Sequence, residues 1–326
     1  MKLGILGAGN IAAMMAKTIL EMNQAEMGDI ERYAVASRSL EKAKAFAAKH
    51  GFQKAFGSYE EMLEDPELDL VYVATPHSHH FDHTKQCVLH GKAALVEKAF
   101  TANAGQAKEL LTLARERGVL VTEAIWTRYQ PMRGIISELL SSGIVGEPRT
   151  LTANLSYVIL QNERIHDPAL AGGALLDVGV YTLNFAEMVF GRPDALQGVC
   201  LKNEYGIDKK NSITLTWEDG RMAVLNSGTE VLSDRKGIIY CTKGFIVVEN
   251  INNPQSVTAF GMDYQPIRKI TCPPQLTGYE YEVLEAARAL RDGAAECPSM
   301  PHEETIHIME EMDALRKQWG IVYPFE

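Results

Sequence analysis

Three side chains have the chemistry of a proton-transfer centre. Lys98 ends the segment Val96-Glu97-Lys98-Ala99-Phe100, directly behind a short apolar run. Asp177 and Tyr181 lie four residues apart in Gly172-Gly-Ala-Leu-Leu-Asp-Val-Gly-Val-Tyr181. On a helix that spacing turns both side chains to one face. A phenol exchanges a proton near neutral pH only when its pKa is lowered, and a nearby ammonium lowers it. A lysine, a carboxylate and a tyrosine together therefore suit general acid–base work on a hydroxyl or carbonyl group, without a metal.

The elements that must position them begin with a parallel sheet. Lys2–Leu6, Arg32–Ala36, Leu70–Ala74, Ala93–Val96 and Val119–Thr122 read as strands, and helical patterns alternate with them. The order predicts an α/β Rossmann domain over residues 1–123. Ligands of such sheets bind at the carboxyl ends of the strands, which is where Lys98 falls. Gly7-Ala-Gly-Asn-Ile-Ala12 follows the first strand and opens a helix. Gly7 permits the tight turn, Gly9 lets backbone approach a pyrophosphate, and Ala12 allows close helix packing. Gly7, Gly9, Asn10 and Ile11 are thus the expected phosphate-binding loop, aided by the helix N-terminus. After the second strand comes Ala36-Ser37-Arg38-Ser39, with no acidic residue to hold a ribose hydroxyl. Arg38 and Ser37 suit a 2′-phosphate, which favours NADP(H) over NAD(H).

Beyond Glu123 the texture changes. Leu151, Ala153, Leu155 and Tyr157 alternate with polar residues, as do Ile213, Leu215 and Trp217, and Asp219-Gly220 marks a hairpin. Residues 124–326 are expected to form a catalytic α+β domain with a large open, mostly antiparallel sheet. Helices are expected at Met132–Ser141, Leu175–Val189, Tyr279–Arg291 and from about Glu303 to Trp319. The Thr-rich sheet face suits a homodimer or larger homo-oligomer. His79 and His83, spaced i, i+4, could face one ion, but the sequence places no third ligand. No metal site is expected.

The motifs Gly4-Ile-Leu-Gly-Ala-Gly-Asn-Ile-Ala12, Glu97-Lys-Ala-Phe100, Glu123-Ala-Ile-Trp-Thr-Arg128 and Gly172–Tyr181 together resemble the Gfo/Idh/MocA oxidoreductases. The last two resemble most the dihydrodiol and xylose dehydrogenase branch. The resemblance covers nearly the whole chain. It implies reversible hydride transfer between a nicotinamide and a carbinol carbon of a sugar-like or cyclic diol substrate. It gives Lys98 the family's lysine role, Asp177 the aspartate role, and Tyr181 the position where many members have histidine. It also places Thr75, Pro76, His80 and Glu97 along the cofactor site, and Trp126, Arg128 and Tyr279 beside the substrate. The family's proline after the lysine is replaced here by Ala99. A cis peptide before alanine costs about 2.5–4 kcal/mol against ~0.5–1 before proline, so the loop is expected either trans or strained. Two other readings stay open at this point: a non-catalytic cofactor sensor of the same fold, and a biliverdin-reductase-like enzyme.

Bulk properties agree with a small-molecule enzyme. The 326 residues carry a formal charge of −10, which argues against nucleic acid as a partner. The five cysteines are odd in number and widely spaced, as expected of reduced thiols in the cytoplasm. No continuous apolar run approaches the roughly 18 residues needed to span a membrane.

Overall fold

The computed structural model describes all residues, 1–326. The chain divides into two compact units, Met1–Trp126 with Gln275–Met309, and Thr127–Pro274 with Glu310–Glu326.

The first unit holds a six-stranded sheet, made of β1 (Lys2–Leu6), β2 (Glu31–Ala36), β3 (Lys54–Phe56), β4 (Leu70–Val73), β5 (Ala93–Glu97) and β6 (Val121–Ala124). The order is β3-β2-β1-β4-β5-β6, and every pair is parallel. This is the doubly wound order that reverses between β1 and β4, so a crevice opens at the carboxyl ends of those two strands. Leu70–Val73 and Ala94–Val96 are fully buried, because helices cover both faces and leave no polar side to alternate with. The helices are α1 (Asn10–Gln24), α2 (Leu40–His50), α3 (Tyr59–Leu63), α4 (His77–Leu89) and α5 (Ala104–Arg117). Ser39, Ser58 and Asn103 cap three of them, each accepting the N–H three residues on.

The domain boundary expected at 123/124 needs correction. The first unit runs on to Trp126 and then recovers residues 275–309. Its late helix α9 (Glu280–Arg291), expected beside the second sheet, packs on α1 and β5 instead. Val283, Ala286 and Ala287 supply its buried face.

The second unit contains α6 (Pro131–Ser141), β7 (Pro148–Ser156), α7 (Glu163–His166) and α8 (Val180–Phe190). Seven further strands follow: β8 (Ala195–Lys202), β9 (Asp208–Thr216), β10 (Met222–Gly228), β11 (Gly237–Cys241), β12 (Gly244–Glu249), β13 (Ser256–Gly261) and β14 (Pro266–Thr271). They form one sheet, β14-β13-β12-β11-β7-β10-β9-β8. Only β7 and β10 pair in parallel. Ile213 and Leu215 of β9 and Leu151, Ala153 and Leu155 of β7 are buried, while the intervening Thr side chains stay half-exposed. The last helix, α10 (His302–Trp319), enters this unit at Glu310.

The helical stretch Pro168–Phe190 is long and apolar enough to cross a membrane by length and composition, with mean hydropathy 1.3. The window average tolerates Asp177 and Asn184, which break the continuous apolar run sought in the sequence. Its window is 89% buried within the fold, the position of a core helix. An unbroken α-helix was expected over Leu175–Val189. The chain instead makes one π-helical turn at Leu175–Gly179 before α8 begins.

Candidate functional site

The loop between β1 and α1 has the geometry of a phosphate cradle. Gly7 has φ +101°, and a Cβ there would lie 2.8 Å from the Ala74 carbonyl oxygen. Only glycine fits that position without displacing β4. At Gly9 a Cβ would meet nothing within 4 Å, so space lies open before the backbone. Gly9 caps α1 without any side-chain hydrogen bond, and the first turn carries no acidic residue. The amides of Asn10 and Ile11 therefore lie at an uncapped N-terminus of a 15-residue helix, which favours an anion. These residues fit the pyrophosphate of a dinucleotide.

At the end of β2, Ser37 is buried and donates its backbone N–H to the Phe56 carbonyl, while Arg38 is exposed. Tyr59, overlooked in the sequence, and His83 lie within its electrostatic reach. Burial, and secondarily the charges of His79 and Arg38, push the His83 pKa down to about 4. The Tyr59 ring meets His83 edge-on at 4.6 Å, and His83 Nδ1 lies 3.0 Å from Thr75 Oγ1. His83 thus makes a contact between α4 and the loop after β4. No three His, Cys, Asp or Glu side chains come together in a way that could hold a metal ion.

The loop after β5 carries Lys98, which is half-buried, and the Lys98–Ala99 peptide is cis. Two residues expected to line the cofactor hold this loop. His80 is fully buried, with Nδ1 2.8 Å from the Ala99 carbonyl oxygen and Nε2 2.7 Å from the Thr75 carbonyl oxygen. Burial lowers its pKa to about 4, so the neutral ring donates to one carbonyl at a time and ties the Thr75-Pro76 turn to the lysine loop. Glu97 is 7% exposed, accepts a hydrogen bond from Tyr72 Oη and takes the Lys98 N–H at 3.2 Å. Close by, the fully buried Glu282 of α9 is held well above the usual carboxylate range by burial and by the charges of Glu97 and Glu280. The returning segment that brings Glu282 also brings Tyr279, whose ring stacks on Trp126 at 4.3 Å and 12°. The Glu280 carboxylate fixes the turn before it by accepting the N–H groups of Leu276, Thr277 and Gly278.

In the second unit, Asp177 is 5% exposed and sits in the π-turn, paired with Arg164 Nη2 at 2.8 Å. Tyr181 follows at the start of α8 and is 8% exposed. Arg128, expected beside the substrate, is only 2% exposed. Its Nε donates to Asn184 Oδ1 at 2.7 Å, and Nη2 lies 3.7 Å from Glu187. A guanidinium leaves water at low cost only when such partners surround it, and Asn184 and Glu187 supply them here.

Comparison with known proteins fits this geometry. Residues 1–125 match the oxidoreductase family with NAD-binding Rossmann fold, GFO_IDH_MocA, and residues 135–247 match the GFO/IDH/MocA C-terminal domain. The chain is 34% identical to a trans-1,2-dihydrobenzene-1,2-diol dehydrogenase of Xenopus tropicalis, covering 99% of both chains. It is 30% identical to the Homo sapiens protein of the same name, covering 98% of this chain and 97% of that one. Among solved structures, it is similar in fold to a 3-ketoreductase from Actinomadura kijaniata in complex with NADP and TDP-benzene. The TM-score is 0.86 at 24% identity, over 98% of this chain and 97% of that chain. An aldose-aldose oxidoreductase from Caulobacter crescentus has the same TM-score, 0.86, at 20% identity, with the same coverage of 98% and 97%. With an anion-ready Gly7–Asn10 loop on a 3-2-1-4-5-6 sheet and family matches to both halves of its length, the chain belongs to the GFO/IDH/MocA family of NAD-binding oxidoreductases.

Proposed function

We propose that this protein is an NADP(H)-preferring dehydrogenase acting on the carbinol carbon of a cyclic trans-diol or sugar-like substrate. The observation that carries the substrate class is the full-length likeness to trans-1,2-dihydrobenzene-1,2-diol dehydrogenases in a chain that itself contains Lys98, Asp177 and Tyr181. The nicotinamide, when bound, supplies the two-electron exchange with that carbon. The α1 N-terminus, Gly7 and Gly9 hold the pyrophosphate. Ser37 and Arg38 receive the 2′-phosphate, with Tyr59 and His83 beside them. Tyr181 exchanges the hydroxyl proton. The Lys98 ammonium polarises the oxygen, and Asp177, fixed by Arg164, orients the reacting groups. His80 and Glu97 hold the lysine loop from below.

The test is turnover of a panel of cyclic trans-diols and aldoses with each cofactor. A trans-diol or aldose should be oxidised with NADP, and kcat/KM for NADP should exceed that for NAD by at least about tenfold, equivalent to ~1.4 kcal/mol. No turnover across the panel would remove the substrate class. Tighter binding of NADH than NADPH in a fluorescence titration would remove the cofactor preference.

The second unit supports a homodimer through its sheet. Val199 and Leu201 on β8 are 71% and 55% exposed, and Met262 and Tyr264 beyond β13 are 78% and 76% exposed. Phe245 and Phe260 stack at 4.8 Å, and Tyr264 lies beside Phe245. A recess of about 330 Å³ among Val199, Leu201, Lys210, Asn226 and Val231 adjoins the β8 edge. A second copy seated on the β8 edge would cover Val199, Leu201 and that recess across a two-fold axis. Sedimentation at micromolar concentration should give a dimer. A monomer alone would refute it. Five cysteines without a disulfide support a reducing, cytoplasmic setting.

A further inference from the structure

The π-helical turn at Leu175–Gly179 has an unusual support. Asp208, at the start of β9, is 2% exposed, in a position where most carboxylates would be replaced by something neutral. Its Oδ2 accepts the Leu175 backbone N–H at 2.8 Å and the Asn211 side-chain amide at 2.9 Å. Asn211 in turn accepts from Ser227 Oγ of β10 at 2.8 Å. A chain of buried, mutually satisfied polar groups thus runs from two sheet strands to the first residue of the turn. The turn itself packs on β7, β9 and β10. Gly173 shows how closely the carboxylate is approached, since a Cβ there would lie 2.5 Å from Asp208 Oδ1 and φ is +114°. Asp177 lies two residues beyond Leu175 in the same turn, and Tyr181 four residues after that.

Helix starts are usually capped by a residue adjacent in sequence. Here the residue before the π-turn, Ala174, offers no side-chain hydrogen bond, and the acceptor comes from a strand 33 residues away. A π-turn admits an extra residue and lacks the register of an α-helix, so its position depends on what anchors its ends. We propose that Asp208 is a positioning residue for the reaction: by accepting the Leu175 N–H from the sheet, it fixes the π-turn that presents Asp177 and sets where α8, which carries Tyr181, begins. This rests on the reading of Asp177 and Tyr181 as the proton-handling pair. It assigns a role to a residue that touches neither substrate nor cofactor.

The anchor has a pH signature. Burial pushes the Asp208 pKa up to about 6, against lowering by Asn211, the Leu175 N–H and the charge of Arg316. The groups that face it are Arg316 of α10, Tyr323 beyond that helix and Cys200 of β8. Arg316 stays charged throughout, and burial drives the Tyr323 phenol and the Cys200 thiol upward, so Asp208 alone among them titrates near pH 6. Below that pH the carboxyl gains a proton, becomes a weaker acceptor and loosens its hold on Leu175.

The test compares Asp208→Ala and Asp208→Asn with the wild type by steady-state kinetics across pH 5–9 and by amide hydrogen exchange. Asp208→Ala should lower kcat by about tenfold or more, the cost of one buried charge-assisted hydrogen bond, and change the Kd for NADPH by less than about twofold. Exchange over residues 172–181 should accelerate while α1 is unchanged. Asp208→Asn keeps a carbonyl acceptor, so it should recover most of the turnover at pH 8 and lose the fall in kcat expected of the wild type below about pH 6. Wild-type exchange in 172–181 together with wild-type kcat in Asp208→Ala would overturn the proposal. If that variant does not fold, an Asp208→Asn profile with the wild-type acid limb would overturn it too. A wild-type protein inactive on every diol and aldose would instead count against the dehydrogenase reading, while the exchange measurement would still decide whether Asp208 anchors the turn.

Discussion

Tyr181→Phe is expected to lower kcat by about 10²–10⁴-fold, the usual worth of a positioned general acid or base. The phenyl ring of the variant fills the same volume, and Tyr181 is 8% exposed at the start of an otherwise buried α8, so packing should survive. Only the hydroxyl disappears, and with it the route for the proton. Cofactor affinity should hold within about twofold, because the phosphate loop, Ser37 and Arg38 all belong to the other compact unit. Turnover and a fluorescence titration with NADPH separate the two effects. A variant with wild-type kcat would exclude Tyr181 from the chemistry. A variant with intact kcat but raised substrate KM would make it a binding group only.

Where local sterics dictate structure, the sequence was informative. Gly7 marked the tight turn after β1 because its positive φ and its close approach to Ala74 tolerate nothing larger. The alternation in β7 and β9 reported a sheet with one buried face. Two strands escaped notice for identifiable reasons. β3 is only three residues long. β8 puts Val199 and Leu201 on its exposed face and is interrupted by Gly198, whose missing Cβ makes room for Leu315 and Trp319. Much of what the sequence did not show concerns groups brought together by tertiary structure. No local pattern shows that α9 returns to the first sheet with Glu282 and Tyr279. None shows that His80 faces two carbonyls, or that Arg128 is enclosed by Asn184 and Glu187. For His80 and Arg128, burial and hydrogen bonds reveal a part in the scaffold that residue type alone does not show. Asp208 is the extreme instance. In sequence it is one acid among 42, and its role depends on hydrogen bonds to a turn 33 residues earlier.

Lys98→Met is the second substitution with a large expected effect, and combined with Tyr181→Phe it tests more than either alone. Methionine keeps most of the length and apolar stem of lysine and removes only the ammonium. The backbone of the loop is held independently of that side chain. Glu97 takes the Lys98 N–H, His80 reaches the Ala99 carbonyl, and Phe100 is fully buried. The loop should therefore persist, and the loss should fall on the chemical step. A single electrostatic donor removed from a water-poor site typically costs about 10²–10³ in kcat. NADPH affinity should weaken far less, since the pyrophosphate and 2′-phosphate contacts lie elsewhere on the same sheet. If Lys98 polarises the oxygen whose proton Tyr181 exchanges, the two residues serve one event. Removing the second after the first should then cost much less than removing it from the intact enzyme, and the double variant should lie close to the worse single one. Losses that simply multiply would mean that the lysine and the tyrosine act on separate steps, and the mechanism would have to divide between them. A Lys98→Met enzyme with undiminished kcat would leave Tyr181 and Asp177 to handle the proton without a cation from the strand end.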